Sequence, residues 1–100
     1  MDNRGLNIVR DIAKKKGIKN WETLSIAEAK NKRFSIISPS GKKINFGLWP
    51  FKGEGTFIDH GDKNLLGAWR ARHMKIMKDG KPAYLDKESP EHYSYYILWS

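Results

Sequence analysis

Two runs alternating apolar and polar side chains, split by a turn signal, constrain this chain most. Arg33-Phe34-Ser35-Ile36-Ile37 is rich in β-forming residues, and Lys42-Lys43-Ile44-Asn45-Phe46-Gly47 sets Ile44 and Phe46 against polar neighbours. Between them, Ser38-Pro39-Ser40-Gly41 carries the proline and glycine that reverse a chain. The three pieces read as a β-hairpin. A lone hairpin is at best marginally stable in water, so the flanking sequence must cover it.

The flanks supply helices. Leu6, Ile8, Val9, Ile12 and Ala13 recur at helical spacing, with Asp2 or Asn3 to cap the start and Gly17 to close the end. Ser25 and Glu28 form a capping-box pattern before Ala29, which predicts a second short helix, with Trp21 and Leu24 packing it on the first. After the hairpin, Thr56-Phe57-Ile58 predicts a short third strand. Asp62 then caps a helix running to Asp79, with Leu65, Leu66, Trp69, Met74 and Met77 on one face. Ser89-Pro90-Glu91 opens the last helix, which continues through Tyr93, Tyr96, Ile97 and Trp99. The expected class is α+β: an N-terminal helical segment, a short antiparallel sheet and two C-terminal helices. Residues 1–32 form the helical segment, a candidate docking arm, and residues 33–100 a small α+β domain. Together they make one compact unit with Phe46, Leu66, Trp69, Tyr96 and Trp99 in its core.

One hundred residues leave no room for two independent cores. Cysteine is absent, which excludes disulfide scaffolds, thiolate metal sites and a cysteine nucleophile. The longest apolar run is far too short to span a membrane, and the first residues carry no signal-peptide stretch. Nineteen Lys and Arg against eleven Asp and Glu give a net charge of +8. The halves differ: residues 1–50 hold eleven basic and four acidic side chains, residues 51–100 eight and seven. Lys14, Lys15, Lys16, Lys19, Lys42, Lys43 and, further on, Arg70 are therefore candidates for binding a polyanion or an acidic protein surface. Lys14–Lys16 also fall in a last helical turn, where cations meet the negative end of the helix dipole.

The densest polar cluster is Asp59-His60-Gly61-Asp62, with His73 and His92 beyond. Its spacing matches no metal-ligand motif, and no serine lies in a nucleophile elbow. No phosphate-binding glycine loop occurs either. The expectation is a protein without catalysis, metal, cofactor or small-molecule substrate. Asp59, His60, Arg72 and His73 are read as one structural polar network, since buried polar groups must be paired. Trp49 and Phe51, beside Pro50, are candidate apolar anchors for a partner.

Four pieces occur in order: Gly41-Lys42-Lys43-Ile44-Asn45-Phe46-Gly47; Thr56-Phe57-Ile58-Asp59-His60-Gly61-Asp62; Arg70-Ala71-Arg72-His73; and Ser89-Pro90 through Tyr96-Ile97-Leu98-Trp99-Ser100. In this order they resemble a family of small basic proteins of large double-stranded DNA viruses and some marine phages. The resemblance covers roughly residues 33–100. It departs at Glu54-Gly55-Thr56-Phe57 and at Glu91-His92-Tyr93-Ser94, where that family usually has Gly-Tyr-Ser-Asp and Gly-Phe-Trp-Ser. The resemblance implies a viral origin and a place in the virion; the reading is a minor structural component bound to capsid or other virion proteins, to packaged DNA through phosphate contacts, or to both. It would reside in the virion, and in host cytoplasm or nucleus during assembly. The alternatives are a sequence-nonspecific nucleic-acid-binding protein of infected cells and, third, a small metal-dependent nuclease.

Overall fold

The fold is that of a computed structural model describing residues 5–51 and 53–100. The Asp2 and Asn3 caps expected for the first helix lie outside those residues. Helix α1 spans Leu6–Lys15 and ends as expected at Gly17. There the Gly17 N–H bonds to the Lys14 carbonyl and the Ile18 N–H to that of Ala13, the paired bonds of a Schellman closure.

Strands β1 (Ser25–Ile26), β2 (Lys32–Ile37) and β3 (Lys43–Leu48) form an antiparallel sheet in that order. The hairpin is the expected one, with Phe34 opposite Phe46 and Ile36 opposite Ile44. The short helix predicted from Ser25 and Glu28 is instead β1, paired through Ser25 with Ser35 and through Ile26 with Phe34. Sheet pairing overrides the local capping pattern here, and the third strand comes from before the hairpin. The run expected to supply it, Thr56-Phe57-Ile58, opens the one-turn helix α2, Phe57–His60. Thr56 and Asp59 make the reciprocal cap that starts this turn.

Helix α3 runs Lys63–His73, capped by the Asp62 carboxylate on the Asn64 and Leu65 N–H groups. It stops six residues short of Asp79. Asp79 and Gly80 both have positive φ and turn a two-stranded ribbon of β4 (Met77–Lys78) and β5 (Lys81–Pro82). An Asp-Gly pair between short strands is the two-residue hairpin signal. Helix α4, Pro90–Tyr93, has Ser89 as its cap and passes into a wider π-helical turn, Ser94–Leu98. The extra residue in that turn rotates Tyr95, Ile97 and Leu98 inward and leaves Tyr96 and Trp99 half-buried.

The core joins Val9 and Ala13 of α1, Leu24, the hairpin residues Phe34, Ile36, Ile44 and Phe46, and Tyr93, Ile97 and Leu98. Val9 and Ala13 are fully buried, so α1 is part of the core. One element reads differently from its sequence. Helix α3 contains no buried residue: Leu66 and Trp69 are half-buried, and Leu65 is exposed.

Candidate polyanion-binding end

Three arrangements of polar and aromatic side chains stand out, and two of them are consumed by the fold itself. The first surrounds Arg33, whose side chain is 2% exposed. Its guanidinium donates to both carboxylate oxygens of Asp59, each bond 2.8 Å. The rings of Phe34, Trp49 and Phe51 lie 5.2–5.4 Å from the guanidinium carbon. In the hairpin register, Gly47 faces Arg33. A Cβ there would come within 3.0 Å of the Arg33 Cβ and 3.1 Å of Leu98, so only glycine leaves room for the arginine. Asp59 lies at the surface, yet its side chain is only 17% exposed. Burial alone would raise its pKa; hydrogen bonds from Arg33 and from the Thr56 N–H and hydroxyl outweigh that and hold it below the usual carboxylate range.

Trp49 and Phe51, the candidate partner anchors, are half-buried and edge-on to each other at 5.6 Å, covering Arg33. The clasp corrects one expectation. Asp59 does not pair with Arg72 or His73. Its partner, Arg33, comes from a strand that the reading of the 59–73 segment left out.

The second arrangement is a column of rings. His73 stacks on Trp69 at 3.8 Å, Trp69 on Trp99 at 4.9 Å, and His60 packs on Trp99 at 5.3 Å. His73 Nδ1 pairs with the Glu91 carboxylate, while His60 Nδ1 accepts the Asp62 N–H at 2.9 Å. Two indoles therefore separate the histidines, and Arg72 is exposed. The expected four-membered network is divided among Arg33, Glu91, Asp62 and solvent. The column borders a cleft of about 370 Å³. Since both faces of Trp69 are covered, that indole offers no face to a nucleic-acid base. Arg70 is likewise occupied: its Nε donates to the Trp99 carbonyl at 2.8 Å and its guanidinium lies 4.4 Å from the Tyr95 ring. It holds α3 to the C-terminal segment. Among the described residues no three His, Asp or Glu side chains converge as a metal set.

The third arrangement is free of such duties. Asn20 donates its side-chain amide to the carbonyls of Ile37 and Ser38, both at 3.1 Å. That bond draws the segment after α1 against the β2–β3 turn. On the other side of the turn, Glu88 accepts from the hydroxyls of Ser38 and Ser40 and from the Ser40 N–H. The two serine hydroxyls hold the Glu88 carboxyl below its usual range. These ties bring Lys19, Lys42, Lys43 and Lys87 to one end of the molecule, although they come from three parts of the chain. A cavity of about 200 Å³ lies at this end, lined by Lys16, Lys19, Pro39, Lys87, His92 and Tyr93 among others.

The candidate lysines are not equally available. Lys15 pairs with Asp11 one turn back at 3.0 Å. Lys14 lies 5.4 Å from the Trp21 ring. Lys16 donates to the Tyr96 carbonyl at 2.8 Å, and burial together with Arg70 lowers its pKa. Burial likewise lowers His92, whose Nδ1 meets the Tyr84 carbonyl, so this ring adds no charge near neutral pH. Lys19, Lys42, Lys43 and Lys87 are exposed. Lys87 was not among the residues singled out from sequence, because its place beside the turn depends on the Glu88 bonds across fifty positions.

Residues 22–73 match the model of a family described as a family of unknown function, DUF5754. The chain belongs to this family. The DUF5754 segment contains the whole sheet, both partners of the Arg33–Asp59 clasp, and α3 with Trp69 and His73. It includes Lys42 and Lys43 but neither α1 nor Lys87, so the basic end extends beyond it on both sides. No curated protein and no solved structure matches the chain.

Proposed function

We propose that this DUF5754 protein is a non-enzymatic basic component of a double-stranded DNA virus or phage particle, and that its lysine-rich end holds the phosphates of packaged DNA. The gathering of Lys19, Lys42, Lys43 and Lys87 about one end carries the reading. Four cations from distant positions are worth gathering where a polyanion neutralises their mutual repulsion. The ordered resemblance to small basic viral proteins supports a place in the virion, with capsid protein as the second partner.

Lysine is a point charge without the planar fork that reads guanine, so binding follows the phosphate backbone and ignores sequence. With about four to five lysines meeting phosphates, log affinity for duplex DNA falls against log salt with a slope near about −4. The test is fluorescence anisotropy of random and defined duplexes at several salt concentrations. Charge reversal at Lys19, Lys42 and Lys87 weakens all duplexes alike and flattens the slope by about three. Absence of binding at low salt, or strong preference for one sequence, overturns the reading.

A further inference from the structure

The segment 74–87 exposes more large apolar side chains than any other part of the described residues. Met77 is 57% and Leu85 55% exposed, with Met74 and Ile76 also exposed. They sit where α3 gives way to the β4–β5 ribbon, with Met77 opposite Pro82. Ala83 donates to the Ile76 carbonyl at 2.8 Å, tying the following turn to the ribbon. Between ribbon and turn lies an open groove of about 600 Å³, walled by Pro82 and Leu85 and rimmed by Lys78, Lys81 and Lys87 with Asp79 and Asp86. A two-stranded ribbon this short is not stable alone, and Met77 within it and Met74, Ile76 and Leu85 beside it are exposed.

The geometry points to this ribbon as a docking surface for an acidic, apolar segment of a partner protein. Charge selects the occupant. Lys78 is paired with Asp86 at 3.1 Å, which leaves Lys75, Lys81 and Lys87 against Asp79 around the apolar residues. A second copy of this chain, with net charge +8, meets that rim with repulsion. DNA offers phosphates but nothing to cover methionine and leucine. A segment alternating acidic and large apolar side chains satisfies both features. The two surfaces share Lys87, but the inference does not rest on the DNA reading, since its apolar residues lie away from Lys19, Lys42 and Lys43.

The sequence contains three methionines, Met1, Met74 and Met77, so methyl-labelled methionine reads this surface directly. The probe is a twelve-residue peptide alternating leucine and glutamate, beside the same peptide with lysine for glutamate. The acidic peptide shifts the Met74 and Met77 methyls, and the basic one does not. Because Met77 and Leu85 are already exposed, Met77→Ser with Leu85→Ser keeps the fold, checked by circular dichroism. The double variant weakens the acidic peptide about tenfold, the loss expected from uncovering two partly buried side chains. Reversal of Lys19 and Lys42 leaves the methyl shifts in place. The inference is overturned if the acidic peptide fails to bind or binds without moving these methyls. Equal binding of the basic peptide, or duplex DNA moving the same methyls as strongly, overturns it too.

Discussion

Asp59→Asn isolates what the Arg33 clasp contributes. The substitution keeps the shape of the side chain but removes the carboxylate that pairs with a guanidinium that is 2% exposed. A buried charge that loses its partner costs about 3–5 kcal/mol. The Phe34, Trp49 and Phe51 rings still face the cation at 5.2–5.4 Å, and the amide oxygen still accepts one hydrogen bond, so the low end, about 3 kcal/mol, applies here. For a domain of this length the melting temperature then falls by roughly 12–24 °C. Thermal unfolding followed by circular dichroism gives the single-variant value. Adding Arg33→Met removes the buried charge that Asp59 pairs with, so the double variant is far less unstable than the sum of the singles. The coupling should be about 2 kcal/mol or more. The pH dependence follows the same carboxylate. Its folded pKa is depressed, so its contribution is complete above the unfolded value of about 3.9 and is lost as pH falls through the lower folded value. Wild type therefore loses this increment below about pH 4, whereas Asp59→Asn has none to lose. An Asp59→Asn melting point within a few degrees of wild type, or strict additivity in the double variant, refutes the clasp.

Three further outcomes follow from the geometry. Gly55→Ala places a Cβ 2.6 Å from the Asp59 Oδ2 at a residue with φ +79°, so it should destabilise by about 2 kcal/mol or more in denaturant titration; a neutral result contradicts the close approach. Trp69→Ala should cost about 2 kcal/mol, below the roughly 3–5 typical of a buried tryptophan, and hydrogen exchange should quicken in α3 before the sheet; uniform quickening would place α3 in the main core. Tyr93, pushed up to about 12 by burial, donates its hydroxyl to the Lys87 carbonyl at 2.7 Å. Its contribution is complete below the unfolded value of about 10 and is lost as pH rises through 12, so the wild-type stability decline over that range should shrink in Tyr93→Phe.

The hairpin was legible because its signal is local: two alternating runs and a turn that only reverse the chain. The α1 closure at Gly17 and the Ser89-Pro90 start were legible for the same reason. The exchange between β1 and the expected third strand was not. Ser25 and Glu28 satisfy a capping box on paper, but β2 lacked a second neighbour, and pairing with it stabilises Ser25 and Ile26 as strand. Helix α3 was over-extended because Met74 and Met77 fit its period. The Asp-Gly signal at Asp79 marked a hairpin turn instead of a helix end. At the site, Lys19, Lys42 and Lys43 were visible as charge, but their grouping with Lys87 rests on bonds from Asn20 and Glu88 to the β2–β3 turn, which no local pattern reveals. Arg33 was hidden as a charged residue near the start of β2. The nearest sequence sign of it is Gly47 in the opposing strand, a glycine where a strand has to make room.

The proposed role of the lysine-rich end is tested most directly by mapping duplex DNA onto the protein, residue by residue, with backbone amide shifts at low salt. The account predicts that random-sequence duplex moves the amides of 16–20, the turn 38–43 and 87–93, and that raising salt to about 0.5 M abolishes all three together. Shifts centred instead on the Trp69–Trp99 column and its cleft, with the lysine-bearing segments unmoved, would contradict it.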